Sequence, residues 1–280
     1  MIGTRGHDVG AAPGTAAGLA REMQDLGMEA VQLVAYRSIA GIREQPGSLS
    51  HGLAWSVARE FEKRGIHLAL LGSYFNMLER DESSLKTLME RFKEYIRYAR
   101  DFGCPLVGTE TGSYNADMSF HPDNHGEEAF RTIVQLFKEL VSEAEKHGVM
   151  VGVEGVYRFS IHTPERMKRL LDAVDSNNLQ VILDPVNLLH FGNYRDAKGI
   201  IEESFSLFGD KIVLIHAKDF VVEGDQIRTV PLGRGLMDFE HLLATAQKHK
   251  PGIDIIIEDL RGEELTESRQ FLESIQNRIG

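Results

Sequence analysis

Val181-Ile182-Leu183-Asp184-Pro185-Val186-Asn187 is an apolar run that ends in a carboxylate followed by proline. A continuous run of this kind, rich in Val and Ile, reads as a strand buried on both faces, as in a parallel sheet. Three other runs end in the same way. Val149-Met150-Val151-Gly152-Val153 meets Glu154, Ile212-Val213-Leu214-Ile215 meets His216, and Asp254-Ile255-Ile256-Ile257 meets Glu258. A buried carboxylate is costly unless it is paired or bound to a metal, so four ionisable residues at equivalent strand ends point to one shared divalent cation. Singly, each has a plainer reading: Asp184 as the cap of the turn before Pro185, His216 as a core histidine, Glu154 or Glu258 as the partner of an arginine. Those readings do not predict the same position on four successive strands.

The surrounding chain repeats one pattern. Ile2 to His7 is a short strand candidate, followed by a Gly-rich segment through Gly14 and a helix from Thr15 to Leu26, which Gly27 ends. Ala30 to Ala35 is a strand, Ser50 caps a helix to Arg64, and His67 to Leu71 is the next strand. Leu85, Leu88, Met89, Phe92 and Ile96 recur at helical spacing before the strand Leu106 to Glu110. Helices are then expected over Glu127 to Lys146, from Thr163-Pro164 to about Val174, over Ala197 to Phe208, over Phe239 to Lys248 and over Glu264 to Ile279, with a turn-rich insertion from Ile227 to Gly235. Eight strand-then-helix units, with no linker of biased composition between them, predict a single α/β domain over residues 1–280, a closed (β/α)8 TIM barrel. Catalytic groups in such barrels sit at the carboxyl ends of the strands, where all four candidate ligands fall.

With 42% hydrophobic and 26% charged residues, the 280-residue chain has the composition of a globular protein. It contains no apolar run of transmembrane length, and its first residues lack the apolar core of a signal peptide, which predicts a cytoplasmic protein with no membrane partner. Cys104 is the sole cysteine, which excludes an internal disulfide and a cysteine-rich zinc site. A formal net charge of −11 works against general affinity for phosphodiester backbones, so no nucleic-acid partner is expected. Three carboxylates and one imidazole form a hard, mostly oxygen donor set. Mn2+ or Mg2+ fits it best, and the histidine admits Co2+ or Zn2+.

On Val-Glu154-Gly-Val-Tyr-Arg158-Phe, Leu-Asp184-Pro-Val-Asn187, His216-Ala-Lys218-Asp219, Gly233-Arg234-Gly235-Leu-Met-Asp238-Phe and Ile-Glu258, the chain resembles the sugar phosphate isomerase/epimerase superfamily. These are the xylose isomerase-like barrels, and apurinic-site endonucleases share the fold. The resemblance covers nearly the whole chain. It implies that Glu154, Asp184, His216 and Glu258 bind one divalent cation, which the donor set makes Mn2+ foremost. It also implies that Glu154 and Glu258 exchange a carbon-bound proton next to a carbonyl, through an enediolate stabilised by the metal. The implied partner is a small sugar or sugar derivative, and a homo-oligomer is compatible with it.

The chain departs from the ketose epimerases at three substrate-side positions. They carry histidine three residues after the Asp, glutamate six after the first Glu and arginine six after the His, where this chain has Asn187, Ser160 and Val222. The metal site is therefore expected to be retained while the sugar contacts differ. Candidate substrate-binding residues are those at the strand ends: His7, Tyr36, Asn76, Glu110, Arg158, Asn187 and Lys218, with Tyr74 and Phe75 as walls. Lys218 and Arg158 are alternatively partners of Asp219 and Glu154. The loop His121-Pro122-Asp123-Asn124-His125 is expected to be a lid or solvated turn, His162 a surface turn, Gly233-Arg234-Gly235 a ligand approach or a turn, and Trp55 a packing residue. Dehydration of a keto-sugar or inosose begins with the same proton abstraction and is the alternative on the same residues. An apurinic-site endonuclease-like phosphodiesterase is the more distant alternative, because Asn187 stands where a zinc-binding histidine is needed and Asp225-Gln226-Ile227 supplies no Asp-x-His. A binding module without turnover would be expected to have lost a ligand, and all four are present.

Overall fold

A computed structural model describes residues 1–10 and 13–279. The apolar runs become strands β1 (Ile2–Arg5), β2 (Ala30–Leu33), β3 (His67–Gly72), β4 (Leu106–Thr109), β5 (Met150–Glu154), β6 (Leu179–Leu183) and β7 (Ile212–Ala217). A hairpin of β8 (Asp219–Glu223) and β9 (Gln226–Val230) follows, and then β10 (Asp254–Ile257). β1 to β7 and β10 pair in parallel in chain order, and β10 returns to β1 with Ile255 opposite Ile2 and Ile257 opposite Thr4. Closure is reinforced by the Thr4 hydroxyl, which donates to the Ile257 carbonyl at 2.9 Å. The expected closed eight-stranded α/β barrel is the fold.

The connecting helices begin where the sequence supplies acceptors for their first N–H groups. Thr15 caps α1 (Ala16–Asp25), Ser50 caps α3 (His51–Glu62), Asp81 caps α4 (Glu82–Tyr98), Thr163 caps α6 (Pro164–Val174) and Asp238 caps α8 (Phe239–His249). Between them lie α2 (Ala35–Ser38), α5 (Glu127–His147) and α7 (Ala197–Phe208), and α9 (Gly262–Ile279) ends the described chain. The first two strands are shorter than the sequence suggests. Past Arg5 and past Leu33 the chain is beyond the barrel rim, where no neighbouring strand takes its backbone groups, and it turns at once into short helical segments.

The barrel interior is packed, and glycines decide how closely. A Cβ on Gly108 of β4 would lie 2.6 Å from Ile182 Cδ1 and 2.7 Å from Leu70 Cδ1, so these two side chains fill the room that glycine leaves. Cys104 is fully buried at the end of the α4–β4 turn, its thiol donating to the Leu106 carbonyl at 3.3 Å. Burial pushes that thiol up to about 12. Cys104 is therefore expected to resist thiol reagents in the folded protein at neutral pH and to react only as fast as the chain unfolds. Rapid labelling under native conditions would contradict this placement.

Two expectations are corrected. Trp55 is not a packing residue: it is 61% exposed, because α3 turns Ala54, Val57 and Phe61 inward at helical spacing and leaves residue 55 beside that stripe. The insertion is not merely turn-rich. Asp219–Glu223 pairs antiparallel with Gln226–Val230 around Gly224-Asp225, a two-residue hairpin standing over the barrel mouth.

No helix among the described residues is long and apolar enough to cross a membrane.

Candidate active site

Register sets the floor of the site. Glu154 pairs opposite Ile182, and His216 opposite Ile256, so the carboxyl ends of β5, β6, β7 and β10 finish nearly level. One ligand-type atom from each of Glu154, Asp184, His216 and Glu258 lies within 4.8 Å of the others, and all four residues are buried. The Nδ1 atom of His216 is 3.3 Å from Glu154 Oε2 and 3.4 Å from Glu258 Oε1. The sequence-predicted ligand set is thus brought together.

Each of the four side chains is held by its other atoms. Asp184 Oδ1 accepts the backbone N–H groups of Val186 (2.9 Å) and Asn187 (3.1 Å), an Asx turn that leaves Oδ2 facing the site. Glu154 Oε1 accepts from the Asn187 amide at 2.6 Å. The Nε2 atom of His216 is 2.7 Å from Gln32 Oε1, and Gln32 Nε2 donates to the Tyr74 hydroxyl at 2.9 Å. With the amide oriented by Tyr74, Nε2 keeps its proton, so the neutral imidazole that a cation requires presents its Nδ1 lone pair to the carboxylates.

Charge and satisfaction test whether a cation fits. His216 Nδ1 and Asp184 Oδ2 are buried and belong to the same cluster of ligand-type atoms, and their contacts there are to charged groups alone. Lys218 Nζ sits 2.9 Å from Asp184 Oδ2 and 2.8 Å from Glu258 Oε2. With the imidazole neutral, three carboxylates against the Lys218 ammonium leave a net negative site inside the barrel, the complement of a divalent ion. Burial raises the pKa of Glu258, but His216, Lys218 and Arg5 outweigh it and hold the group well below the usual carboxylate range. Burial lowers that of His216, yet Glu258 and Glu154 push it up to about 9. These residues fit a hard divalent ion.

A cavity of about 940 Å³ opens above this floor, lined among others by His7, Asn76, Glu110, Arg158, Asn187 and Lys218. Their availability differs. Asn76 is committed to the fold, its amide bonded to Ser113 O, Ser113 N and Leu78 N. Lys218 turns its ammonium to Asp184 and Glu258 rather than to Asp219, and stands 3.3 Å from Asn187 Oδ1. Arg158 is exposed on the cavity wall and makes no ion pair among the described residues, with Glu154 or any other acid. Glu110 is pushed up to about 8 by burial and by Glu154. His7 is pulled down to about 4 by burial and by Arg5. Tyr36 packs against the core at the rim, outside the cavity lining.

The flanking motifs are structural. His125 belongs to a 3-10 turn before α5, and the buried Asn124 beside it donates to Arg158 O at 2.8 Å, which pins the loops after β4 and β5 together. His162 stacks on His125 with centroids 3.6 Å apart. Gly233-Arg234-Gly235 turns the chain around Asp219, whose carboxylate accepts from Phe220 N, Gly233 N, Gly235 N and Met237 N at 2.8 to 3.0 Å. A Cβ on Gly235 would lie 2.2 Å from Asp219 Oδ1. Asp219→Ala strands four backbone donors and is expected to cost on the order of 3 kcal/mol, read as a lower urea midpoint at unchanged slope. A midpoint within error of the wild type would refute this role.

Two residues of the site escape a reading of the sequence. Gln32 is one, and its only signal is an amide inside an apolar strand. Arg5 is the other: its guanidinium bonds Asp8 and Asp259 and approaches Glu258 Oε2 to 3.7 Å.

Known proteins share this arrangement of strands and helices. A curated relative, the probable L-ribulose-5-phosphate 3-epimerase of Mycoplasma pneumoniae, is 23% identical over 184 residues. That match takes in 66% of this chain and 56% of the relative, little more than half of its length. A D-tagatose 3-epimerase-like protein superposes with a TM-score of 0.77 at 17% identity, covering 99% of this chain and 97% of the other. A xylose isomerase-like TIM barrel protein from Mycobacterium smegmatis, solved in complex with magnesium, gives 0.76 at 14% identity, covering 100% and 97%. The family model described as xylose isomerase-like TIM barrel matches residues 20–275, a span that takes in all four residues of the buried cluster. By that match, and by the closed barrel that carries the cluster, the chain belongs to the xylose isomerase-like TIM barrel family.

Proposed function

We propose that this protein is a sugar isomerase or epimerase that moves a proton at the carbon next to a carbonyl, with Glu154, Asp184, His216 and Glu258 holding one divalent cation, Mn2+ foremost. The observation that carries the reading is the pair Glu154 and Glu258, two buried carboxylates that approach one imidazole nitrogen at 3.3 and 3.4 Å on the floor of a cavity. When bound, a divalent ion supplies charge stabilisation worth several kcal/mol at an enolate oxygen. Glu154 takes the carbon-bound proton and Glu258 delivers one from the other side, or the reverse for the return reaction. Asn187 fixes one oxygen of Glu154 and Lys218 one oxygen of Glu258, so each base keeps its remaining oxygen directed at the site. Asp184 and His216 serve as ligands without a proton to carry. Arg158, Glu110 and His7 are the cavity side chains proposed to meet substrate hydroxyls or an anionic substituent.

The epimerase name of the Mycoplasma relative and the magnesium in the mycobacterial barrel support this reading. Asn187 supports it over phosphodiester cleavage, because its amide is spent on Glu154 and is no ligand for a further zinc. The test is to incubate the Mn2+-loaded protein in deuterium oxide with ketoses, ketose phosphates and keto-inositols, and to follow the carbon-bound hydrogens by NMR. Incorporation at one carbon that stops on adding EDTA is expected. Absence of incorporation across the panel would sink the proposal, and loss of water from the product would move the reaction to dehydration.

A further inference from the structure

The cavity is built in two tiers. Its floor carries the charged groups described above. Its mouth is aromatic: Phe120 and Phe191, on the loops after β4 and β6, both line the cavity and are 46% and 52% exposed. Phe120 lies parallel to Tyr157 with centroids 6.2 Å apart and planes 5° apart, and Tyr157 stacks on His190 at 4.0 Å. Three successive loops thus contribute one tier of rings.

The tier is fixed relative to the floor. Tyr157 N donates to Asn187 O at 2.7 Å, and the Asn187 side chain reaches Glu154 at 2.6 Å. His125 joins the Tyr157 carbonyl at 2.7 Å from the other side. Met118, also lining the cavity, holds a left-handed φ of 62° two residues before Phe120, a conformation that costs about 1–3 kcal/mol and is kept where the surroundings demand it. Large apolar groups held open to water at the lip of a cavity are what a ligand-binding groove presents.

Size points the same way. At about 940 Å³ the cavity lies near the top of the range of about 300–1,000 Å³ seen for drug-sized ligands, and a single sugar ring is smaller than those. A single sugar ring over the charged floor fills only part of that volume. We infer that the natural ligand is a glycoside: one sugar unit sits over the carboxylate floor and a second ring, attached through the glycosidic oxygen, lays its flat face on the Phe120–Phe191 rim. This rests on the sugar reading given above and extends it from a free sugar to a two-ring substrate. An aryl ring and a second sugar offer the same flat, weakly polar face to an aromatic side chain, and the test separates them.

The experiment measures binding, so it does not depend on turnover. A panel of free pyranoses, their phenyl glycosides and their disaccharides is titrated into the Mn2+-loaded protein, with saturation-transfer NMR reporting which ring protons touch it. For the sugars that bind, a two-ring form is expected to bind about tenfold tighter than the free sugar, with transfer to the second ring. That ratio is expected to fall to about twofold or less in the Phe120→Ala/Phe191→Ala double variant. Preference for the phenyl glycosides identifies an aryl aglycone, and preference for the disaccharides identifies a second sugar. Free sugars binding as tightly as the two-ring forms, or a preference that survives the double substitution, would overturn the inference and leave the sugar reading intact. A double variant that changes the oligomeric mass in sedimentation and not the preference would also overturn it, and would assign the rim to a second copy of the chain. Failure of every sugar to bind would sink the sugar reading and this inference together.

Discussion

Replacing Glu154 or Glu258 by glutamine is expected to slow interconversion of the substrate about 10²–10⁴-fold, the usual contribution of a positioned general acid or base. Glutamine keeps the shape and one carbonyl oxygen, so the change removes the proton-accepting group with little disturbance of packing. The two variants should differ in a telling way. In Glu258→Gln the ammonium of Lys218 loses one of its two ligand-carboxylate partners, and Arg5 loses the carboxylate 3.7 Å away. In Glu154→Gln the loss falls on His216 and on the amide of Asn187, which would then face either an amide oxygen or an amide nitrogen. Both residues are also proposed ligands, so cation affinity must be measured alongside the rate. A rate loss that saturating Mn2+ does not repair is the expected outcome. Full activity in either variant would remove that residue from the proton transfer.

Gln32→Leu is expected to weaken divalent-cation binding about 10–100-fold, the cost usual for removing the partner that orients a ligating histidine. Gln32 is 1% exposed, its Oε1 faces His216 Nε2 at 2.7 Å, and its Nε2 is anchored on the Tyr74 hydroxyl at 2.9 Å. That chain of bonds fixes which nitrogen keeps the proton when the imidazole is neutral, as a cation requires. Without it the ring is free to adopt the other tautomer, with its proton on Nδ1 where a cation must sit. Leucine keeps the volume in an apolar strand, so the thermal midpoint of the unloaded protein should move much less than the affinity does. Tyr74→Phe, which removes only the anchor of the amide, should show a smaller loss of affinity in the same direction. Calorimetric titration with Mn2+ checks both, and wild-type affinity in Gln32→Leu would show that the imidazole is oriented by something else.

The parts of the molecule that a reader of the sequence recovers are those whose cause is local. Val181 to Leu183 must be a buried strand because nothing in it suits water, and Asp184 stands at its end by covalent connection alone. The same holds for Glu154, His216 and Glu258, and four such ends define the floor once the barrel closes. Thr15, Ser50 and Thr163 announce helix starts because a cap acts within three residues. Gln32 is different in kind. Its partner His216 is 184 residues away in sequence, and no pattern near Gln32 states which side chain it will meet. Lys218 is likewise ambiguous from sequence, since its neighbour Asp219 looks like its partner until four backbone N–H groups claim that carboxylate.

The hairpin and the exposure of Trp55 are both legible in the sequence. Val221-Val222-Glu223-Gly224-Asp225-Gln226-Ile227-Arg228-Thr229-Val230 carries two β-prone runs around Gly224-Asp225, a two-residue hairpin signal that a reading begun at Ile227 misses. The stripe Ala54, Val57, Phe61 already places Trp55 off the buried face, despite its size. The aromatic rim, by contrast, emerges only in three dimensions, because Phe120, Tyr157 and Phe191 sit on three separate loops whose convergence is set by the barrel.

The most direct measurement is the anomalous-scattering map of a crystal grown with Mn2+. One manganese peak is predicted, bonded by Glu154, Asp184, Glu258 and Nδ1 of His216, with Nε2 of His216 still on Gln32. A protein that binds no manganese at this point, or a peak that leaves any two of those four side chains outside bonding distance, would contradict the account.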